Sequence, residues 1–224
     1  MPASSANAPL QIDVVSDIVC PWCLIGKHRL EKAIAMRPDI PVQIRFHPFF
    51  LNEWIPREGV TREEYLMARY GPPEKREKGP NRAREAAEAE GLVYDTRKIK
   101  RIPHTLDCHR LIYWAGEDKG PAMNQRLIDL YFREGGDLTD IETLVQAAAD
   151  VGLPPDEIRR KLTSNEDADR IFAAVEATKN MGISGVPFFI FDNALAVSGA
   201  QPPEYLAEVM DQALARRDGS SAAS

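Results

Sequence analysis

Apolar and polar positions follow three regimes along the chain. The stretch IDVVSDIV (12–19) is dense in β-branched residues and reads as a strand. CLIGKHRLEKAIAM (23–36) follows with good helix formers. Cys23, Gly26, Leu30, Ala33 and Ile34 can share one face of that helix, and Pro38 and Pro41 stop it. VQIRF (42–46) alternates Val42, Ile44 and Phe46 with Gln43 and Arg45, a strand with one buried face.

From about 57 to 180 the spacing turns helical. The predicted pieces are TREEYLMARY, NRAREAAEAEG, the segment from Thr105 to Ala115, NQRLIDLYFREG, DIETLVQAAADVG, PPDEIRRKL and EDADRIFAAVEATKNMG. Glycines at 91, 135, 136, 152 and 182 follow these runs as C-cap residues do. Asp140 and Asp156 stand where N-caps or first-turn acids belong. The third regime returns to strand: FFIFD (188–192), a turn at Asp192-Asn193-Ala194, then LAVSG (195–199). A helix opened by prolines (202–217) closes the chain, with Tyr205, Leu206, Val209, Met210 and Leu214 as its apolar face. Residues 1–9 and 218–224 read as loose tails. The expected organisation is one sheet unit built from 10–56 and 181–217, with 57–180 inserted as helices. Two strands alone would not be stable, so the sheet needs both ends of the chain.

Composition changes this picture little. Apolar residues make up 44% and charged residues 28%, as in ordinary globular proteins. No apolar run approaches the roughly 20 residues that span a bilayer. The start MPASSANAPL has no basic or apolar leader pattern, so the expected location is the cytoplasm, with no membrane partner. The net charge of −6, with basic and acidic residues interleaved, argues against nucleic acid. Three cysteines do not staple a scaffold; they point to thiol chemistry or to buried thiols.

Two of the three lie in Cys20-Pro21-Trp22-Cys23. Zinc would want two more ligands, and Cys108 is far downstream without a Cys-His cluster beside it, so no metal site is expected. Two small buried hydrophobes are a second reading. A redox dithiol explains more. Cys20 falls at or just before a helix start, where Pro21 is tolerated and unpaired N–H groups favour a thiolate. Cys23, one turn later, can close a small disulfide and is the expected more buried partner. Cys20 then attacks and Cys23 resolves. Trp22 either contacts an apolar substrate or merely covers the sulfur.

SDIVCPWCLIGKHRLEKA (16–33), with GISGVPFFIF (182–191) and AVSGAQPPEYL (196–206), resembles the FrnE-like branch of the DsbA family of thiol–disulfide oxidoreductases. The resemblance implies an α/β thioredoxin fold with an inserted all-helical domain. It implies that Cys20 and Cys23 are the redox pair and that Pro187 is a cis-proline beside them. Val186 would then offer its backbone to an extended substrate. Read from its own sequence, Pro187 is more readily a strand-start proline. No cofactor is implied beyond the redox-active disulfide. The partners implied are disulfide- or thiol-bearing proteins or small molecules, glutathione as a co-substrate among them, and a homodimer. Kappa-class glutathione transferases and 2-hydroxychromene-2-carboxylate isomerases share this outline but typically carry serine where Cys20 stands. Glutathione-dependent isomerase or transferase activity is the alternative, and non-enzymatic polypeptide binding a second one. His104 and Cys108 depart from the family pattern. Four apart, they fall on one helical face, as a substrate-contacting proton carrier and a third thiol, or as a helix-start residue and a core thiol. His28, His47 and His109 read as packed or solvated residues.

Overall fold

The computed structural model describes residues 8–75 and 82–221, with side chains up to 217 in the last helix. Residues 1–7 and 222–224 of the expected tails, and 81 of the predicted NRAREAAEAEG helix, lie outside the described residues. Strand β1 (Leu10–Ser16), helix α1 (Pro21–Ala35) and strand β2 (Val42–Pro48) form the first unit. The strand stops short of Val19, because the Cys20 N–H donates to Asp17 O and closes a turn before the helix. Next come β3 (Val60–Thr61), α2 (Arg62–Tyr70), α3 (Arg82–Ala89) and β4 (Arg101–Ile102). Then follow α4 (Leu106–Asp129), which runs into a π turn at Leu130–Glu134, α5 (Ile141–Asp150), α6 (Pro155–Leu162) and α7 (Ala168–Asn180). The hairpin strands β5 (Phe188–Phe191) and β6 (Leu195–Ser198) and helix α8 (Pro203–Ser221) complete the chain.

The main sheet has the order β2-β1-β5-β6. β1 is parallel to β2 and antiparallel to β5, and β5 is antiparallel to β6. β1 is therefore an inner strand buried on both faces, which is why Ile12, Val14 and Val15, with Asp13 among them, do not keep a strict apolar–polar alternation. Asp192 and Asn193 make the hairpin turn at positive φ (50° and 53°), residue types that tolerate the left-handed region.

Two apolar clusters result. One lies between the sheet, α1 and α8, around Ile12, Val14, Leu30, Phe189, Phe191 and Met210. The other fills the helices between β2 and β5, around Leu111, Met123, Leu127, Phe132 and Leu144. Ile18, Val19 and Leu24, which flank the cysteines, belong to the second cluster. The dithiol segment thus stands where the two cores meet.

Several details differ from the reading of the sequence. The segment between β2 and β5 also carries the β3–β4 ribbon, whose two-residue strands are too short to show a period. The predicted helices 105–115 and 124–135 meet in α4, broken only at Gly116 (φ 68°, ψ −173°). His104 precedes that helix, so it shares no helical face with Cys108. On α8 the buried face is Leu206, Ala207, Val209, Met210 and Ala213, and Tyr205 turns outward. Nor are the inner ends of the tails loose. Arg217 reaches the carbonyls of Ala8 (2.6 Å) and Pro9 (3.2 Å) and the Asp192 carboxylate. With that turn fixed, adding residues to the helix costs little, and it continues to Ser221.

Candidate functional site

Cys20 is the N-cap of α1, in an extended conformation (φ −84°, ψ 116°), and Pro21 opens the helix. The Cys20 carbonyl accepts from the N–H groups of Cys23 (3.0 Å) and Leu24 (3.2 Å), so the first turn is wound tightly around the pair. The Cys20 sulfur lies 3.8 Å from the Val186 carbonyl oxygen, to which its thiol donates. The Val186–Pro187 peptide bond is cis, and the Pro187 carbonyl accepts from the Gly199 N–H at 2.9 Å. Trp22, between the two cysteines in the chain, is exposed.

Gly26 explains how the helix and the proline loop come so close. A Cβ there would sit 2.7 Å from Pro187 Cγ and 3.2 Å from Phe189 Cζ. Only a glycine lets α1 lie against this loop.

The two thiols differ in environment more than in exposure: Cys20 is 3% exposed and Cys23 2%. The expected contrast in burial is therefore absent. Burial pushes the Cys23 thiol well above its ordinary range, and the adjacent Cys20 sulfur pushes it further. The Cys23 thiol keeps its proton at neutral pH.

The helical segment contributes a wall of aromatic residues. Tyr65 on α2 stacks on Trp54, their rings 9° from parallel at 6.1 Å. Burial raises the Tyr65 phenol and pushes that of Tyr94 up to about 12, and Cys20 is among the charges felt by both. Trp54, Met67 and Tyr70 remain exposed nearby on these segments.

Cys108 is fully buried in the helical core, and burial pushes its thiol well up. That is the environment of a core thiol rather than of a third redox partner. His104 accepts the Leu106 N–H on Nδ1 (3.2 Å) at the start of α4. Its ring packs against Phe50 (4.7 Å between centroids) and lines an open cavity of about 460 Å³ with Arg57, Asn165 and Phe172. Burial lowers its pKa, so it is neutral at pH 7. Among the described residues no three His, Cys, Asp or Glu side chains converge as a metal cage, and no helix is long and apolar enough to cross a membrane.

Sequence reasoning passed over Tyr65 and Tyr94, and it read Gly26 only as part of a helix face and His109 only as a packed or solvated residue. Gly26 carried a signal, a glycine inside a helix three residues after Cys23. The others come from distant segments and carried none.

A family description, the DSBA-like thioredoxin domain, matches residues 11–211. The chain belongs to this family. It thereby stands among the disulfide oxidoreductases and isomerases. A probable DsbA oxidoreductase from Streptomyces coelicolor, SCO1869, is 33% identical, with a TM-score of 0.79 over 91% of this chain and 89% of that one. The protein YwbO of Bacillus subtilis (strain 168) is 26% identical over 206 residues, 91% of this chain and 97% of its own length. The cytosolic disulfide reductase DsbM of Pseudomonas aeruginosa, solved with GSH, shares the fold at 16% identity and a TM-score of 0.62, covering 94% of this chain and 98% of that one.

Proposed function

We propose that the chain exchanges disulfides through Cys20 and Cys23, with Cys20 as nucleophile and Cys23 as resolving thiol. One observation carries the reading: Cys20 caps a helix N-terminus with its sulfur 3.8 Å from Val186 O, while Cys23 sits one turn deeper as a high-pKa thiol. The unpaired N–H groups and positive end of α1 favour a thiolate at the cap. That thiolate attacks a substrate disulfide and expels one substrate thiolate. Cys23 then attacks the Cys20 sulfur, expels the second substrate thiolate and leaves the Cys20–Cys23 disulfide. Run backwards, the same steps oxidise a substrate dithiol.

Pro187 and Val186 form the floor on which an extended substrate lies, with the Val186 backbone pairing to it. Trp22 and Pro21 border the entry, and His104 belongs to the wall of a neighbouring cavity. Residues 10–56 and 181–217 act as the thioredoxin-like unit, and 57–180 as an insertion that walls the dithiol. The substrates are protein or small-molecule disulfides and thiols, with glutathione as a co-substrate and the cytoplasm as the setting. In a cytosol at roughly −220 to −320 mV, a strongly oxidising couple near about −120 mV would sit reduced.

The test is Cys23→Ser. It accumulates a stable mixed disulfide on Cys20, seen as one substrate adduct by intact mass. A glutathione-dependent isomerase would instead keep its turnover without Cys23, and that result contradicts the reading.

A further inference from the structure

Tyr65, on α2, and Tyr94, between α3 and β4, come from separate segments and meet at the dithiol. Both rings pack against the apolar cluster that contains Val19 and Leu24, the residues on either side of Cys20-Pro21-Trp22-Cys23. Each ring is braced by another aromatic ring. Tyr65 lies nearly parallel to Trp54, and Tyr94 sits 5.4 Å from Phe132, which Tyr131 meets edge-on at 5.0 Å. The two phenols lie within electrostatic reach of the Cys20 sulfur and of each other, yet neither hydrogen-bonds that sulfur.

Their hydrogens are unspent. The Tyr94 hydroxyl makes no hydrogen bond among the described residues. Asn52 hydrogen-bonds Tyr65 in the sense that favours the anion, as an amide N–H donating to the phenol oxygen does, so the Tyr65 hydrogen also remains. A buried phenol hydroxyl normally has a partner, and two open ones beside a nucleophile suit an acceptor that arrives with the substrate. The attacking sulfur has its own support in the positive end of α1. The sulfur it expels lacks such support. Arg62, a cation felt by Tyr94, spends Nε and Nη2 on Thr96 at 3.0 and 3.3 Å. Pro187 has no N–H, and the Val186 carbonyl only accepts. In an in-line attack the departing sulfur stands two S–S bonds from Cys20, about 4 Å or more away. That lies beyond hydrogen-bond reach of Cys20, on the side open to groups set back from it.

We propose that the Tyr94 and Tyr65 hydroxyls hydrogen-bond the thiolate that Cys20 expels from a substrate disulfide, which makes them catalytic residues of the first exchange step. The step rests on the dithiol reading above. The Cys20 thiolate forms an S–S bond to one substrate sulfur, and the substrate S–S bond breaks with its electron pair on the other. That second sulfur, now a thiolate, accepts from the two O–H groups. The protons stay on the phenols, because burial holds both above their usual range, Tyr94 at about 12. The thiolate takes its proton from solvent after it leaves. Run backwards, the same donors hold the incoming thiolate.

The experiment is stopped-flow reaction of the full chain carrying Cys23→Ser, so that each molecule completes only the first step. The probes are para-substituted diphenyl disulfides, which differ in leaving-thiolate basicity and little in shape. Rates are taken on the plateau above the ionisation of Cys20. Tyr94→Phe and Tyr65→Phe should each slow the reaction about twofold with the least basic leaving thiolate and about tenfold with the most basic one, since donors matter most where the expelled charge is hardest to bear. The double variant should steepen the dependence further. A slowing that is uniform across the series, as loss of packing would give, overturns the inference, and so do rates equal to the parent. Either single variant that folds by circular dichroism decides. If neither folds, the parent series decides: a dependence shallower than that of free glutathione thiolate on the same probes supports the phenols, and an equal one overturns them. A uniform or absent effect leaves the dithiol standing and removes only the phenols. A parent chain whose Cys20 reacts with none of the probes takes down both.

Discussion

Asp13 lies in the middle of β1 and Asp17 just past its end, both buried, and the structure treats them oppositely. Asp13 is saturated: Arg45 donates at 2.9 and 3.2 Å, Gln11 at 2.7 Å, and His47 lies at 2.7 Å. The parallel register of β1 and β2 sets Arg45 directly opposite it, with His47 two residues on along the same face. Asp17 has one donor and one oxygen without a hydrogen bond, and its main chain meets the Cys23 sulfur. The same side chain at nearly the same burial is a saturated anchor in one place and half-satisfied in the other. The difference is whether donors fill it, and that depends on which strand or helix lies opposite.

The largest expected effect lies at the dithiol end. Cys20→Ser should abolish disulfide exchange, a loss of about a thousandfold or more, because no other cysteine caps a helix N-terminus. The anchor end should respond in stability alone. Burial by itself would raise the Asp13 carboxyl, but hydrogen bonds from Arg45, His47 and Gln11 outweigh it and hold it below the usual range. Asp13→Asn should therefore cost about 2 kcal/mol by urea unfolding, with exchange rates unchanged. A depressed folded pKa stabilises above the unfolded value, and this is lost as pH falls through the folded one. The gap between wild type and Asp13→Asn should thus be full above about pH 5 and close below about pH 4. Equal stability of the two proteins at neutral pH would break the contrast.

Asp17→Asn should show the reverse signature, with stability held within about 0.5 kcal/mol by urea unfolding, because only the Leu51 N–H donates to this carboxyl and its other oxygen has no hydrogen bond to lose. A variant that loses stability as Asp13→Asn does would make Asp17 a second anchor. The smallest effect belongs to His47→Gln, whose side chain is 43% exposed. It should shift unfolding by no more than about 0.5 kcal/mol.

What was legible in the sequence follows the range of the forces involved. The strand–helix–strand start, the hairpin and the cysteines at a helix N-terminus are written in local periodicity and turn residues. IDVV, VQIRF and Asp192-Asn193 needed no partner to be read. The reading weakened where a residue's meaning depends on what lies opposite. His104 and Cys108 looked like neighbours on one helix face, but the helix begins at Leu106. Tyr205 looked like core, but Leu206, Val209, Met210 and Ala213 took the buried face. Arg217 converted the inner ends of both tails into ordered structure through contacts between the two chain ends. The site shows the same limit. Its nucleophile was legible, whereas Gly26 against Pro187 and His109 against Asp17 meet only once the chain has folded.

The measurement closest to the central claim is the redox equilibrium of the Cys20–Cys23 pair in glutathione buffers, read by thiol trapping and intact mass. The account predicts one reversible two-electron transition between dithiol and internal disulfide, absent in Cys20→Ser. A chain that shows no transition, or that stops at a single stable glutathione adduct on Cys20, would contradict it.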